Sequence, residues 1–266
     1  ELFLVFGLGF GVGASALSTV VFQWVGAGFY LWWIGHAANE HDVGWRPDGV
    51  AIRALGRDGV SLFIRTTALR LSFIVAAAFA AAKGEASLGA HEIASQLFYF
   101  VALALDAIAI AGQAMVGTLL GANDAPRALS TGRRLVVWGI GLGVVASGLL
   151  LLVRPILPNL FTNDPAVIDK TLGVLLLLAI MQPLAGAVFA LDGILIGAGD
   201  MRFLAYAMAA NSIFFLGLLW IVQIVDGGLI GLWIALVLFI AARAVTLGWR
   251  IKGDAWIVTG AHRSGT

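Results

Sequence analysis

The sequence predicts an all-α protein, a polytopic transmembrane bundle of about seven spans. Hydrophobic residues make up 61% of the chain and charged residues 12%, and the mean hydropathy is +0.98. Soluble domains hold about 45–50% apolar and about 25% charged residues. Seven runs reach the roughly 20 mostly apolar residues that a bilayer crossing needs. Lys and Arg also fall unevenly between the two sets of loops that these runs define.

Taken in order, residues 2–6 read as the tail of an earlier span. Gly7, Gly9, Gly11 and Gly13 supply the turn that separates it from the first complete span, 14–34. The chain opens at Glu1 within this apolar run, with neither a start methionine nor a basic leader. A truncated or incomplete chain without a signal peptide is the expectation. The segment 35–59 is the longest and most polar connection, and its R-P-D-G at 46–49 is turn chemistry. Residues 50–58 within it suit either an amphipathic helix at the interface or a solvated loop. The remaining spans are 60–82, 90–120, 132–157, 168–197, 202–225 and 229–249. Pro155 and Pro158 terminate a span, whereas Pro183, beside Gln182, lies inside one and is a helix-bend candidate.

Ten basic residues belong to one side: Arg46, Arg53, Arg57, Arg127, Arg133, Arg134, Arg202, Arg250, Lys252 and Arg263. Three belong to the other, Lys83, Arg154 and Lys170. The positive-inside rule makes the first side cytoplasmic, C-terminal tail included, for a protein of the plasma or inner cell membrane. The net charge of +1 with scattered basic residues gives no reason to expect a nucleic-acid partner, and the partner to expect is the lipid bilayer. Zero cysteines exclude disulfides, thiolate metal sites and cysteine nucleophiles.

Gly9-x-Gly11-x-x-Ala14 and Gly141-x-Gly143-x-x-Ala146 mimic a dinucleotide fingerprint but lie in bilayer-length runs, so close helix packing explains them better. The same holds for Gly117-x-x-x-Gly121 and Gly193-x-x-x-Gly197. His36, His41, Glu40 and Asp42 read as a polar loop rather than a metal site, and His91 with Glu92 as the interfacial start of a span. No catalytic constellation, metal or cofactor is implied, and the chain is not read as an enzyme. Glycine-led starts at 11–20 and 228–237 form a faint internal repeat, as parallel-repeat transporters show.

The charges inside spans carry the functional reading, because an ionisable group at bilayer depth is expensive. Arg70 and Asp106 each fall near the middle of a span, while Arg65, Asp192 and Arg243 each lie five or six residues from a cytoplasmic end. The matched depths predict two pairings, Arg70 with Asp106 and Arg65 or Arg243 with Asp192. Gln113, seven residues after Asp106, lies on nearly the same helix face. Such pairs either orient helices or carry a titrating acid, since moving an arginine partner away switches a carboxylate between releasing and holding a proton.

The wording of several segments is familiar. G-A-H-E-I-A and Q-A-M-V-G-T-L-L-G-A-N-D within 88–127 resemble the eighth helix of multidrug and toxic compound extrusion (MATE) transporters. L-D-A-I-A-I-A-G-Q is most similar to the DNA-damage-inducible (DinF-like) branch. A-L-D-G-I-L-I-G-A-G-D-M-R at 190–202 resembles the tenth helix and following loop, and G-F-G-V-G-A-S-A-L-S-T-V the start of the sixth.

The resemblance implies the C-terminal half of a two-bundle MATE-type transporter. Residues 1–34 would hold a helix tail and the sixth helix, 35–59 a cytoplasmic linker, 60–249 the C-terminal six-helix bundle and 250–266 a cytoplasmic tail. The N-terminal bundle would then be a missing partner. The family exports amphipathic or cationic drug-like compounds against inward protons or sodium. Its sodium-coupled members use acids at positions near Leu69 and Ala185 here, neither acidic, so a coupling proton is the expectation. The function implied is a proton-coupled multidrug efflux antiporter working by alternating access, with xenobiotic transport as its role. A lipid-linked precursor flippase of the same superfamily and a non-transporting scaffold or degenerate half-transporter are the rivals.

Overall fold

A computed structural model describes residues 12–40 and 49–259. They fall into two units, one ending at Arg53 and the other beginning at Ala54. Among the described residues all regular structure is helical, and seven helices are long and apolar enough to cross a membrane. The expected residues 2–6, His41 and Asp42 lie outside the described residues.

The first unit contains α1 (Val12–Glu40). Nothing in its closing I-G-H-A-A-N-E breaks a helix, so it runs past the expected span end, with the His36 ring stacked on Trp32 one turn earlier. His36 is therefore a helical residue rather than a loop one. The second unit holds most of α2 (Gly49–Ala82), then α3 (Glu85–Gly121), α4 (Ala125–Val153), a 3-10 turn at Leu157–Leu160, α5 (Pro165–Gly197), α6 (Met201–Ile224) and α7 (Gly228–Lys252). Residues 50–58 are helical, as the first turns of an unbroken α2 rather than a separate interfacial helix or a loop.

Local chemistry sets the helix ends. Asp124 and Asp164 accept from the backbone N–H of Arg127 and Ala166, at 3.1 and 2.8 Å, with Pro126 and Pro165 in the first turns of α4 and α5. Proline suits a first turn because its missing N–H would be unpaired there anyway. At the other end, α3, α5 and α6 close in one way. A left-handed residue, Asn123, Gly199 or Asp226, reverses the chain. The next N–H then bonds back to the carbonyl of Leu119, Leu195 or Val222.

α5 is the centre of the second unit, packed on α3, α4 and α7, with α6 against α7. Glycine lets backbones touch. Gly186 on α5 meets Gly139 on α4, and Gly143 faces the Gln182 carbonyl and Pro183. Gly193 and Gly197 lie against α3 at Ala109 and Gln113. Small residues that allow such approach are the usual basis of helix association in lipid. The expected Gly193-x-x-x-Gly197 seam is thus present, while Gly121 and Gly141 have open space where a Cβ would be. Pro183 lies inside α5, which continues through it to Gly197.

Candidate functional site

Three helices converge on one intramembrane charge cluster. Asp192 comes from α5, and the long arginine side chains of α2 and α7 reach it. Its Oδ2 accepts from Arg243 Nη2 of α7 at 2.6 Å and lies 2.8 Å from Arg65 Nη2 of α2. Asp192 and Arg243 are buried and Arg65 nearly so. Asp192 Oδ1 and Arg65 Nε, both buried, have no hydrogen-bond partner. Two guanidinium groups on one carboxylate leave one positive charge in excess. The Arg243 guanidinium also lies 5.9 Å from the Phe239 ring centre, one turn back on α7. The depth-matching argument left Arg65 and Arg243 as alternatives, and the structure brings both to Asp192.

The other expected pair does not form. Arg70 and Asp106 make no ion pair with each other, and both are exposed. Helix register is the reason. Phe73 of α2 packs on Phe98 and Tyr99 of α3, each at 6.0 Å between ring centres. In an antiparallel pair that register sets Arg70 about one turn from the level of Asp106, beside Tyr99.

Asp106 belongs instead to a row along α3. Glu92, Tyr99, Asp106 and Gln113 recur every seven residues, and all four are exposed. Seven residues are close to two turns, so the row stays on one face and spans about 31 Å at 1.5 Å per residue. That is about the thickness of the hydrocarbon layer. Gln96, one turn after Glu92, is exposed beside it. The row between Asp106 and Gln113 was legible as a short stripe, but its extension to Tyr99 and Glu92 was missed, although the seven-residue spacing was there to be read. His91 is buried, with its ring 5.8 Å from that of Trp233 on α7.

Polar ties hold the rest of the bundle around this face. The Ser72 and Ser212 hydroxyls lie 3.0 Å apart between α2 and α6, and Asn211 Nδ2 donates to Thr246 Oγ1 at 3.0 Å between α6 and α7. Lys83 Nζ reaches Asp226 Oδ1 at 2.7 Å, joining the α2–α3 and α6–α7 turns. At the opposite end Arg250 Nε reaches Asp200 Oδ2 at 2.7 Å.

Against known families, the profile described as MatE matches residues 62–221. The chain belongs to the MatE family. It is 32% identical over 251 residues to Protein DETOXIFICATION 44, chloroplastic, of Arabidopsis thaliana, covering 93% of this chain and 47% of that protein. With a probable multidrug resistance protein NorM of Aromatoleum aromaticum it shares 30% identity over 186 residues, 65% of this chain and 38% of that one. Among solved structures, a multidrug resistance MATE family transporter in an outward-facing conformation matches with a TM-score of 0.72 at 17% identity, over 80% of this chain and 48% of that one. A MOP superfamily transporter from Pyrococcus furiosus, described as having a binding pocket of reversed polarity, matches at 0.71 and 16% identity, over 79% and 47%. The chain spans about half the length of the curated relatives it matches. The MATE fold is shared and the helices are membrane spans, so this is a multi-pass membrane protein.

Proposed function

We propose that this MATE-family chain is the C-terminal bundle of a proton-coupled efflux antiporter for amphipathic or cationic drug-like compounds. The observation that carries the reading is the exposed row Glu92, Tyr99, Asp106 and Gln113 on α3. A row this polar over a hydrocarbon thickness is too costly to face acyl chains. It suits the wall of a water-filled cavity facing a second bundle, which the roughly doubled length of the relatives would supply. Alternating access of that cavity, with the two bundles as the moving parts, is the mechanism.

In this reading Asp106 carries the coupling proton, since it faces the cavity without an arginine on its carboxylate. Gln113 and Tyr99 offer hydrogen bonds to substrate, and Arg70 sets the local charge. Asp192, engaged by two guanidinium groups, ties α2, α5 and α7 together, and Pro183 is the place where α5 can bend. The basic-residue asymmetry supports a cytoplasmic C-terminus, and the wording of 105–113 supports the DinF-like branch.

The test uses the full-length transporter containing this sequence, reconstituted in liposomes with an imposed pH gradient and a fluorescent organic cation. Asp106→Asn is expected to abolish uptake or shift its pH profile, while Asp192→Asn lowers the amount of folded protein. Unchanged uptake across pH in Asp106→Asn at normal protein level overturns the role given to Asp106.

A further inference from the structure

A second site lies away from the α3 face, at the end of the unit where α4 begins and α7 stops. There a cavity of about 630 Å³ opens between α4, α5 and α7. Its walls are apolar, among them Val136, Ile194 and Trp256, and its polar residues are Arg133, Lys252 and Asp254. Trp256 forms a fixed floor. It is 1% exposed, and its indole N–H donates to the Ile251 carbonyl at 3.1 Å, holding the turn after α7 against the cavity.

Two further observations say what fits there. The lining carries two cations and one anion, and neither Arg133 nor Lys252 forms an ion pair among the described residues. The site is therefore cationic by one charge above an apolar interior. Trp138 and Trp249, on the two helices that bound it, are 73% and 71% exposed. Outward-facing tryptophans of membrane helices concentrate at headgroup depth. Trp249 is three residues from Lys252 and Trp138 five from Arg133, so both cations sit within about 8 Å of that depth.

We propose that this cavity binds one anionic phospholipid from the surrounding leaflet. Arg133 and Lys252 take the phosphate, Asp254 faces the remainder of the headgroup, and Val136, Ile194 and Trp256 receive the upper part of an acyl chain. Basic pockets between membrane helices are a recurrent form of anionic-lipid recognition. A soluble anion has no use for the apolar walls, and a zwitterionic lipid brings a second cation that offsets its phosphate at a site already cationic by one charge. The inference is independent of the transport reading, because none of these residues lies on the α3 row.

Native mass spectrometry of the full-length transporter containing this sequence tests it, with dioleoylphosphatidylglycerol and dioleoylphosphatidylcholine at equal concentration in neutral detergent. One phosphatidylglycerol should be retained at least tenfold more strongly than phosphatidylcholine. The Arg133→Gln, Lys252→Gln double variant should lose about thirtyfold, at roughly fivefold for each basic residue near an anionic surface. Both changes are at polar positions outside the core. Val136→Trp, which fills the cavity and leaves the charges, should lower retention of phosphatidylglycerol as well. Equal retention of the two lipids, no retained lipid, or full retention by the double variant overturns the proposal. So does inorganic phosphate raising the melting temperature as much as phosphatidylglycerol, which would make the site an ion subsite.

Discussion

Asp192 holds Arg243 at 2.6 Å through one carboxylate oxygen, and Arg65 reaches that same oxygen at 2.8 Å. Removing the carboxylate leaves two buried guanidinium groups facing each other. Breaking a buried pair by deleting one partner typically costs about 3–5 kcal/mol. Asp192→Asn and Arg243→Gln are each expected to destabilise by about that amount, and Arg65→Gln by less, because it removes the excess positive charge. Thermal unfolding of the purified chain checks this. Strict additivity of Asp192→Asn with Arg243→Gln would show that the two do not act as a unit.

Two glycines on one helix make a matched pair. A Cβ at Gly139 would collide with the Gly186 carbonyl, whereas Gly141 has open space. Gly139→Ala should destabilise by about 1–3 kcal/mol, the usual range for overpacking. Gly141→Ala should be neutral or slightly stabilising, since alanine is the better helix former. Equal melting temperatures for the two variants would mean that α4 and α5 are not in backbone contact.

The Lys83–Asp226 bridge predicts a pH effect outside the membrane. The hydrogen bond from Lys83 and its charge hold the Asp226 carboxyl below its ordinary 3.8. A carboxyl lowered in the folded state contributes stability above its unfolded pKa and loses it as pH falls through the folded one. The wild type should therefore melt slightly above Asp226→Asn at pH 7, with the gap closing below about pH 4. The effect is small because the aspartate is exposed, and high salt should shrink it. A gap that grows toward acid would contradict this pairing.

Orientation is open to direct labelling, because the chain has no cysteine. Single cysteines at Asn39, Glu85 and Gly253, all exposed, sample both sides. A membrane-impermeant maleimide on intact cells should reach Glu85→Cys and leave the other two unlabelled. The opposite pattern would invert the topology.

The number and order of spans were legible because bilayer crossing is a matter of length and hydropathy along one chain. The Asp192 cluster was legible for a related reason. Three charges at one depth in an apolar medium have few alternatives to meeting. Depth is only one coordinate, however. Arg70 and Asp106 share it approximately, yet Phe73 against Phe98 and Tyr99 fixes a register in which they do not pair. The contact of His91 with Trp233 was not legible, because the two lie far apart in the chain. Lys83 and Asp226 were missed for the same reason, being 143 residues apart in two turns. The bridge exists only once α2–α3 and α6–α7 stand side by side.

The glycine contacts of α5 also bear on how this part of the molecule can move. Helices that pack through side chains can slide, because rotamer changes absorb small shears. Where Gly139 meets Gly186, and Gly193 and Gly197 meet α3, there is no layer of side chains to rearrange. Sliding there would press peptide groups into one another. α3, α4 and α5 are thus locked against shear and must travel as one solid piece, leaving bending and whole-body rotation as the motions open to them.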